Sequence, residues 1–259
     1  MVLNDVTTKN CLGKVLKTKS NGDLKVISVL NNKLIEVEFV NTGYKTNTSI
    51  GNLRRGVIKD RLMSNVFNYG IVGEKYKTRV KGTLLKEYRY WHAMIERCYS
   101  GKLHGGVNKT YKNCTTSENF KSYEYFYEWC QNQTGFGVDG FELDKDLLIK
   151  GNKVYSENTC VFLPKEVNTA LAKSTATRGT SLIGTAFNKR LGKYVSQINK
   201  FNSKKHLGVF DTELEAFNAY KTAKENYLKE LANKWKSQID ERAYNALMNY
   251  KVEITDWFT

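Results

Sequence analysis

Apolar and polar residues alternate along the first sixty positions. Residues 12–18, 24–30, 34–40 and 45–50 read as strands, parted by Ser20-Asn21-Gly22-Asp23, Asn31-Asn32 and Asn41-Thr42-Gly43. Short strands at intervals of about ten residues predict a small β-barrel. Residues 61–83 lack a clear period, have turns at Gly70 and Gly73, and read as a linker with some extended structure. From residue 84 the period changes. Tyr88, Trp91, His92, Ile95 and Tyr99 recur at helical spacing, and Gly101 ends that helix. Thr115-Thr116-Ser117-Glu118 fits a capping box for a second helix, with Phe120, Tyr123, Tyr127 and Cys130 on its apolar face. An aromatic stripe of this kind predicts core.

Residues 140–171, GFELDKDLLIKGNKVYSENTCVFLPKEVNTAL, read as strand, turn, strand, helix. Phe141-Glu142-Leu143 opens the first strand, Gly151-Asn152 signals a turn, and 159–163 form the second strand. Pro164, the only proline, stops that strand and suits the first turn of a helix. The helix carries Val167, Ala170 and Leu171 on one side, with Asn168 beside them. Such a hairpin brings Asp144 near Asn168. A carboxylate and an amide oxygen are hard ligands suited to one Mg²⁺ or Mn²⁺.

Three further short strands follow at 185–187, 194–199 and 206–210. Asp211-Thr212-Glu213-Leu214-Glu215 then opens a helix with a second Thr-x-x-Glu capping box. Its apolar face is Ala216, Phe217, Ala219, Tyr220, Ala223 and Tyr227. A last helix is read over 236–250, with Trp235, Ile239, Ala243 and Leu247 at four-residue steps and packed on the helix before it. The tail 252–259 is a docking segment or a dimer contact. The whole is an α+β multidomain chain: a module at 1–60, a linker at 61–83, a central domain at 84–172, a linker at 173–179 and a last domain at 180–259.

Charge sharpens this picture. The formal net charge of the 259-residue chain is +15. Residues 1–80 carry 14 basic and 6 acidic side chains, 81–172 carry 12 and 11, and 173–259 carry 15 and 9. Basic flanks with 12% aromatics suit a polyphosphate partner, double-stranded DNA above all. The near-neutral centre is what acidic metal ligands produce. The start is polar and no apolar run approaches a membrane span, so neither a secretory signal nor membrane association is expected. Five cysteines without a Cys-x-x-Cys pair predict reduced thiols in a cytoplasmic protein, with neither structural zinc nor a disulfide framework.

The segment 140–171 resembles the HNH (ββα-metal) nuclease family found in bacteriophage proteins. The resemblance implies that Asp144 and Asn168 hold the metal and that Asn158 matches the family's middle Asn. The chain departs from the family at Lys145, which stands where the general-base His belongs. Lys145, Asp146 and the loop residue His104 are the catalytic candidates in its place, while His92 reads as a packed core histidine. The motifs YRYWHAMIERCY and SENFKSYEYFYEWC resemble the segment that precedes the ββα unit in many such proteins. The stretch from Gly13 to Tyr44 resembles an SH3-like barrel of phage proteins, and its lysines and arginines read as auxiliary DNA-backbone contacts or as a solvated basic face.

The last domain, with HLGVFDTELEAFNAYKTA at its junction, resembles the AP2 DNA-binding domain. That likeness implies a sheet in the major groove braced by the helix. Asn188, Lys189, Arg190, Lys193, Tyr194, Gln197, Asn199, Lys200, Lys204 and Lys205 are then the DNA-contacting positions, with Arg178 in the linker before them. Lysine grips phosphate as a point charge and reads bases less sharply than arginine.

Two functions fit. One is a metal-dependent, homing-type endonuclease that nicks or cleaves DNA as a monomer or homodimer, with one ββα site cleaving one strand, so that a monomer nicks. The other is a DNA-binding protein on a catalytically inactive HNH-like fold, serving as a regulator, an accessory or an anti-defence factor. A protein-interaction module built on the first sixty residues is a third class.

Overall fold

In the computed structural model, residues 5–101, 111–172, 181–201 and 203–257 are described. Arg178 and His104 lie outside these residues. The chain is mixed α and β, with two compact units, 1–128 and 129–259.

The first unit begins with an antiparallel sheet of β1 (Val15–Lys17), β2 (Asp23–Asn31), β3 (Leu34–Phe39) and β4 (Lys45–Thr48), in that spatial order. The expected alternation holds: Leu24, Val26, Ile35, Val37 and Phe39 are all buried. The expected barrel does not form. β1 is three residues long and pairs only with β2, and β4 pairs only with β3, so the sheet stays open. Its core is completed instead by Leu53 of α1 (Ile50–Arg55) and by Val6 and Cys11. The Ser49 side chain caps α1 by accepting from the Asn52 N–H.

Between this sheet and the next helix, buried Asp60 ties several segments together. It accepts from the Thr42 hydroxyl at 2.6 Å and the Leu62 N–H at 2.9 Å, while its own N–H donates to Asn21. β5 (Arg79–Val80) and β6 (Thr83–Leu84) form a short hairpin before α2 (Lys86–Tyr99). Trp91, Met94 and Ile95 of α2 are fully buried, and the Trp91 indole N–H donates to the Phe120 carbonyl. His92 meets the edge of Phe67 at 5.1 Å. Tyr69 stacks on Tyr99 and Tyr76 on Tyr127. The aromatic stripe is core, as its spacing predicts.

After β7 (Thr115–Thr116), the second helix starts later than expected. Residues 119–121 form a single 3₁₀ turn, and α3 (Tyr123–Gln131) follows Ser122, whose hydroxyl accepts from the Tyr125 N–H. Thr115 is a strand residue, so the cap sits seven residues downstream of the predicted one.

The second unit contains β8 (Phe141–Asp144), β9 (Val154–Tyr155), β10 (Val161–Pro164) and α4 (Lys165–Leu171). β8 and β10 are antiparallel with Asp144 opposite Val161, and Pro164 sits at the N-terminal boundary of α4. This is the strand, turn, strand, helix order read from sequence. β11 (Thr185–Asn188), β12 (Lys193–Lys200) and β13 (Ser203–Phe210) form a three-stranded antiparallel sheet in chain order. α5 (Glu213–Trp235) packs on that sheet and begins with the full Thr212–Glu215 capping box.

The last helical pattern resolves into two pieces. α5 runs through Trp235, and the Asp240 side chain caps a separate α6 (Glu241–Met248) that packs back on α5. The tail then docks: Val252 is buried, and its N–H donates to Glu225 of α5. No helix of the described residues is long and apolar enough to cross a membrane.

Candidate metal and nucleic-acid site

The turn after β8 is built on side-chain to backbone bonds. Asp144 Oδ1 accepts from the N–H groups of Asp146 and Leu147, which curls the chain sharply after the strand. Burial pushes the Asp144 carboxyl upward from its ordinary value. Lys145 turns into this loop. Its Nζ donates to Asp146 Oδ1 at 2.6 Å and to the Asn152 carbonyl at 3.0 Å, and it lies over the Tyr155 ring. Only 6% of the Lys145 side chain is exposed, whereas Asp146 is open to solvent. The lysine thus clamps the two sides of the loop.

Asn152 is the partner of that clamp. Its amide donates to the carbonyls of Lys145 and Val154, and its Oδ1 accepts from the Val154 N–H. Sequence marks Asn152 only as a turn residue. Asn158 lies exposed in the turn at 157–159, which Thr159 and Ser156 hold together, and it shares no hydrogen bond with Asp144 or Asn168.

Asn168, on α4, reaches Glu142 rather than Asp144. Its Nδ2 donates to Glu142 Oε2 at 3.3 Å, while its Oδ1 is buried with no hydrogen-bond partner. Glu142 and Asp144 share one face of β8, because successive side chains alternate. Two carboxylates and an orphaned amide oxygen are hard donors and suit a divalent cation in type. Glu142 is the member that sequence reasoning missed; its signal was its position two residues before Asp144. Tyr250 belongs to the same neighbourhood: burial, then the charge of Asp256, raises its phenol, with Tyr220 and Asp144 adding to the effect. Cys160 is buried and its thiol is pushed up to about 12, chiefly by burial, so it is a core residue and not a reactive thiol.

The outer face of the three-stranded sheet carries a row of polar side chains beside Ala186, Val195 and Val209. Cross-strand partners share a face, and Thr185 lies on the inner one, where its hydroxyl donates to Glu213 of α5. Alternation then places Asn188, Lys193, Gln197, Asn199, Lys204 and His206 on the outer face. Lys193 pairs with Asp211 at 2.8 Å. Lys189 and Arg190 sit exposed in the β11–β12 turn, where Asn188 Oδ1 accepts from the Arg190 and Leu191 N–H groups. Three of the expected positions, Tyr194, Lys200 and Lys205, fall on the other side of the sheet by the same alternation. Tyr194 packs on Phe187, and Lys200 pairs with Glu230 of α5. Lys205 is exposed opposite Ile198.

Comparison of the chain with protein-family models, curated proteins and solved structures finds no match.

Proposed function

We propose that this chain is a DNA-binding protein that docks double-stranded DNA on the outer face of β11–β13. The observation that carries this reading is the polar outer row, Asn188, Lys193, Gln197, Asn199, Lys204 and His206, flanked by exposed Lys189 and Arg190. A strand pair fits a major groove, amide side chains can pair with adenine, and lysines neutralise phosphates. The helix α5 behind the sheet keeps it rigid. A gel-shift titration of duplex DNA tests the reading. Affinity should fall steeply with salt and fall again in Lys189→Ala and Arg190→Ala; affinity unchanged by both substitutions removes this docking face.

A second activity, metal-dependent phosphodiester hydrolysis, is favoured by the unpartnered Asn168 Oδ1, on an amide whose nitrogen donates to the Glu142 carboxylate. Asp144, Glu142 and Asn168 would hold one Mg²⁺ or Mn²⁺. A bound ion of this kind neutralises charge on the phosphate and on the leaving oxygen. Lys145 keeps the loop in shape, with its ammonium engaged by Asp146 and Asn152. The free Oδ2 of exposed Asp146 is then the proton acceptor open to water in this turn. Incubating supercoiled DNA with Mg²⁺ or Mn²⁺, beside EDTA and Asp144→Ala controls, decides between a nuclease and a binding protein on the same scaffold.

A further inference from the structure

A cleft of about 930 Å³ opens in the second unit where α4, the edge of β12 and α5 converge. β11 begins at Thr185, opposite Ser196, and the Gln197 N–H donates to the Gly184 carbonyl, so the stretch of β12 after Gln197 has no strand partner on that side. Four lysines line the cleft, Lys165, Lys204, Lys224 and Lys234, against one acid, Glu166. That acid is already used: Glu166 Oε2 accepts from Lys234 Nζ at 2.6 Å and from the Trp235 indole N–H at 3.1 Å. Among the described residues, no carboxylate forms an ion pair with Lys165, Lys204 or Lys224.

Lys224 is the unusual member. It is 9% exposed, in the middle of α5, and donates to the Ala170 carbonyl in the last turn of α4. A carbonyl takes one of three donors and cancels no charge. Burial alone pulls its ammonium down to about 8, with no anion acting against that. A buried cation held without a counter-charge is costly unless something supplies one. At the tip of the β12–β13 hairpin, Phe201 also lines the cleft. Its ring is half exposed, its φ is +52°, and its N–H donates to the Tyr227 hydroxyl. Holding a non-glycine residue in the left-handed region costs free energy, and here that conformation sets an aromatic ring beside the lysines.

We propose that this cleft binds one nucleotide unit, its phosphate among Lys165, Lys204 and Lys224 and its base against Phe201. Cations that track a phosphate beside an aromatic platform are the elements of single-strand binding. Taking that nucleotide from a nucleic-acid strand rests on the DNA-binding reading; the phosphate and stacking chemistry does not.

The test uses the full chain at neutral pH with two probes, fluorescently labelled dT12 and free dTMP. Phe201→Ala changes an exposed residue and serves beside Lys224→Met, which keeps the buried length without the charge; Lys204 is left unchanged, because it also belongs to the outer row of the sheet. We expect dT12 affinity to fall about tenfold in Phe201→Ala and at least as much in Lys224→Met, with thermal unfolding used to verify folding. A dT12 strand with abasic positions should lose most of its sensitivity to Phe201→Ala. Binding of dTMP, weakened by the same substitutions, without dT12 binding would make a free nucleotide the occupant. Equal affinity of all folded variants for both probes, or binding of neither, overturns the proposal. Loss of duplex binding in Lys189→Ala with cleft variants unaffected would keep the sheet docking and discard the cleft; the reverse pattern discards the sheet docking alone.

Discussion

Asn168 on α4 donates its amide to Glu142 on β8 at 3.3 Å, and so joins the helix to the strand through a residue two positions before Asp144. The other side of that amide, Oδ1, is buried and unpartnered. An orphaned buried acceptor costs roughly 1–3 kcal/mol and is uncommon in a settled fold. A cation at this position would remove the cost. Mg²⁺ or Mn²⁺ should therefore raise the unfolding temperature, by about 2.7 kcal/mol of added stability at a hundred times its Kd. Asp144→Ala and Asn168→Ala should abolish that rise. A metal titration that leaves the wild-type unfolding curve in place sinks the metal centre, whatever the cleavage assay shows.

Lys145 gives the second prediction. Its ammonium joins Asp146 to the Asn152 carbonyl inside the loop. Lys145→Met keeps the stem and leaves that carbonyl short of a donor, for an expected loss of about 1–3 kcal/mol in urea unfolding. Duplex affinity should stay within a factor of two, because the loop lies outside the docking face. If the chain cuts DNA, a Lys145→Met protein that remains folded and bound to metal should retain cleavage, since the lysine shapes the loop. Complete loss of cutting in such a protein would make Lys145 the proton acceptor instead.

Much of this architecture is legible in the sequence because local chemistry and global fold agree. The period-two runs at 24–30 and 34–40 became β2 and β3, Pro164 marked the strand-to-helix boundary, and Thr212–Glu215 capped α5. What failed was closure and contact. Ten-residue strand spacing is the same for an open sheet and a barrel, and only the three-residue length of β1 decided it. Thr115–Glu118 satisfied the capping pattern, yet Ser122 offers the same hydroxyl nearer the buried face. Glu142 and Lys224 were invisible as site residues, because an acid on a strand and a lysine on an amphipathic helix normally face water. The significance of Lys224 depends on which neighbours bury it, and that of exposed Glu142 on the amide that Asn168 brings to it.

Gly184 supplies a third prediction. Its φ is +79°, and a Cβ there would come within 2.1 Å of the Tyr220 ring. The close approach lets α5 settle against the start of β11. Gly184→Ala should cost on the order of 3 kcal/mol, through the left-handed backbone and the displaced tyrosine together. Equilibrium denaturation measures it, and a cost under about 0.5 kcal/mol, the range of neutral surface changes, would mean that Tyr220 is free to move aside.

Lys224 gives the fourth, through pH. Its folded-state value near 8 lies below the ordinary lysine value of 10.5. Below about 8 both folded and unfolded chains carry the proton, so the burial penalty is fully present. Between about 8 and 10.5 the folded chain has released that proton while the unfolded chain still holds it. Stability therefore rises with pH across this window, by about 3 kcal/mol in all for this group. Lys165, Glu166, Lys204, Tyr220, Tyr227 and Lys234 face the same cleft. The informative quantity is the difference from Lys224→Met, which keeps all of them. Wild-type stability should gain on the variant from pH 7.5 to 9.5 in urea titrations. Parallel curves would mean that Lys224 keeps its charge throughout, hydrated or already paired with an anion. Repeating the comparison with saturating dTMP separates those two cases, because a bound phosphate holds the proton on Lys224 and flattens the rise.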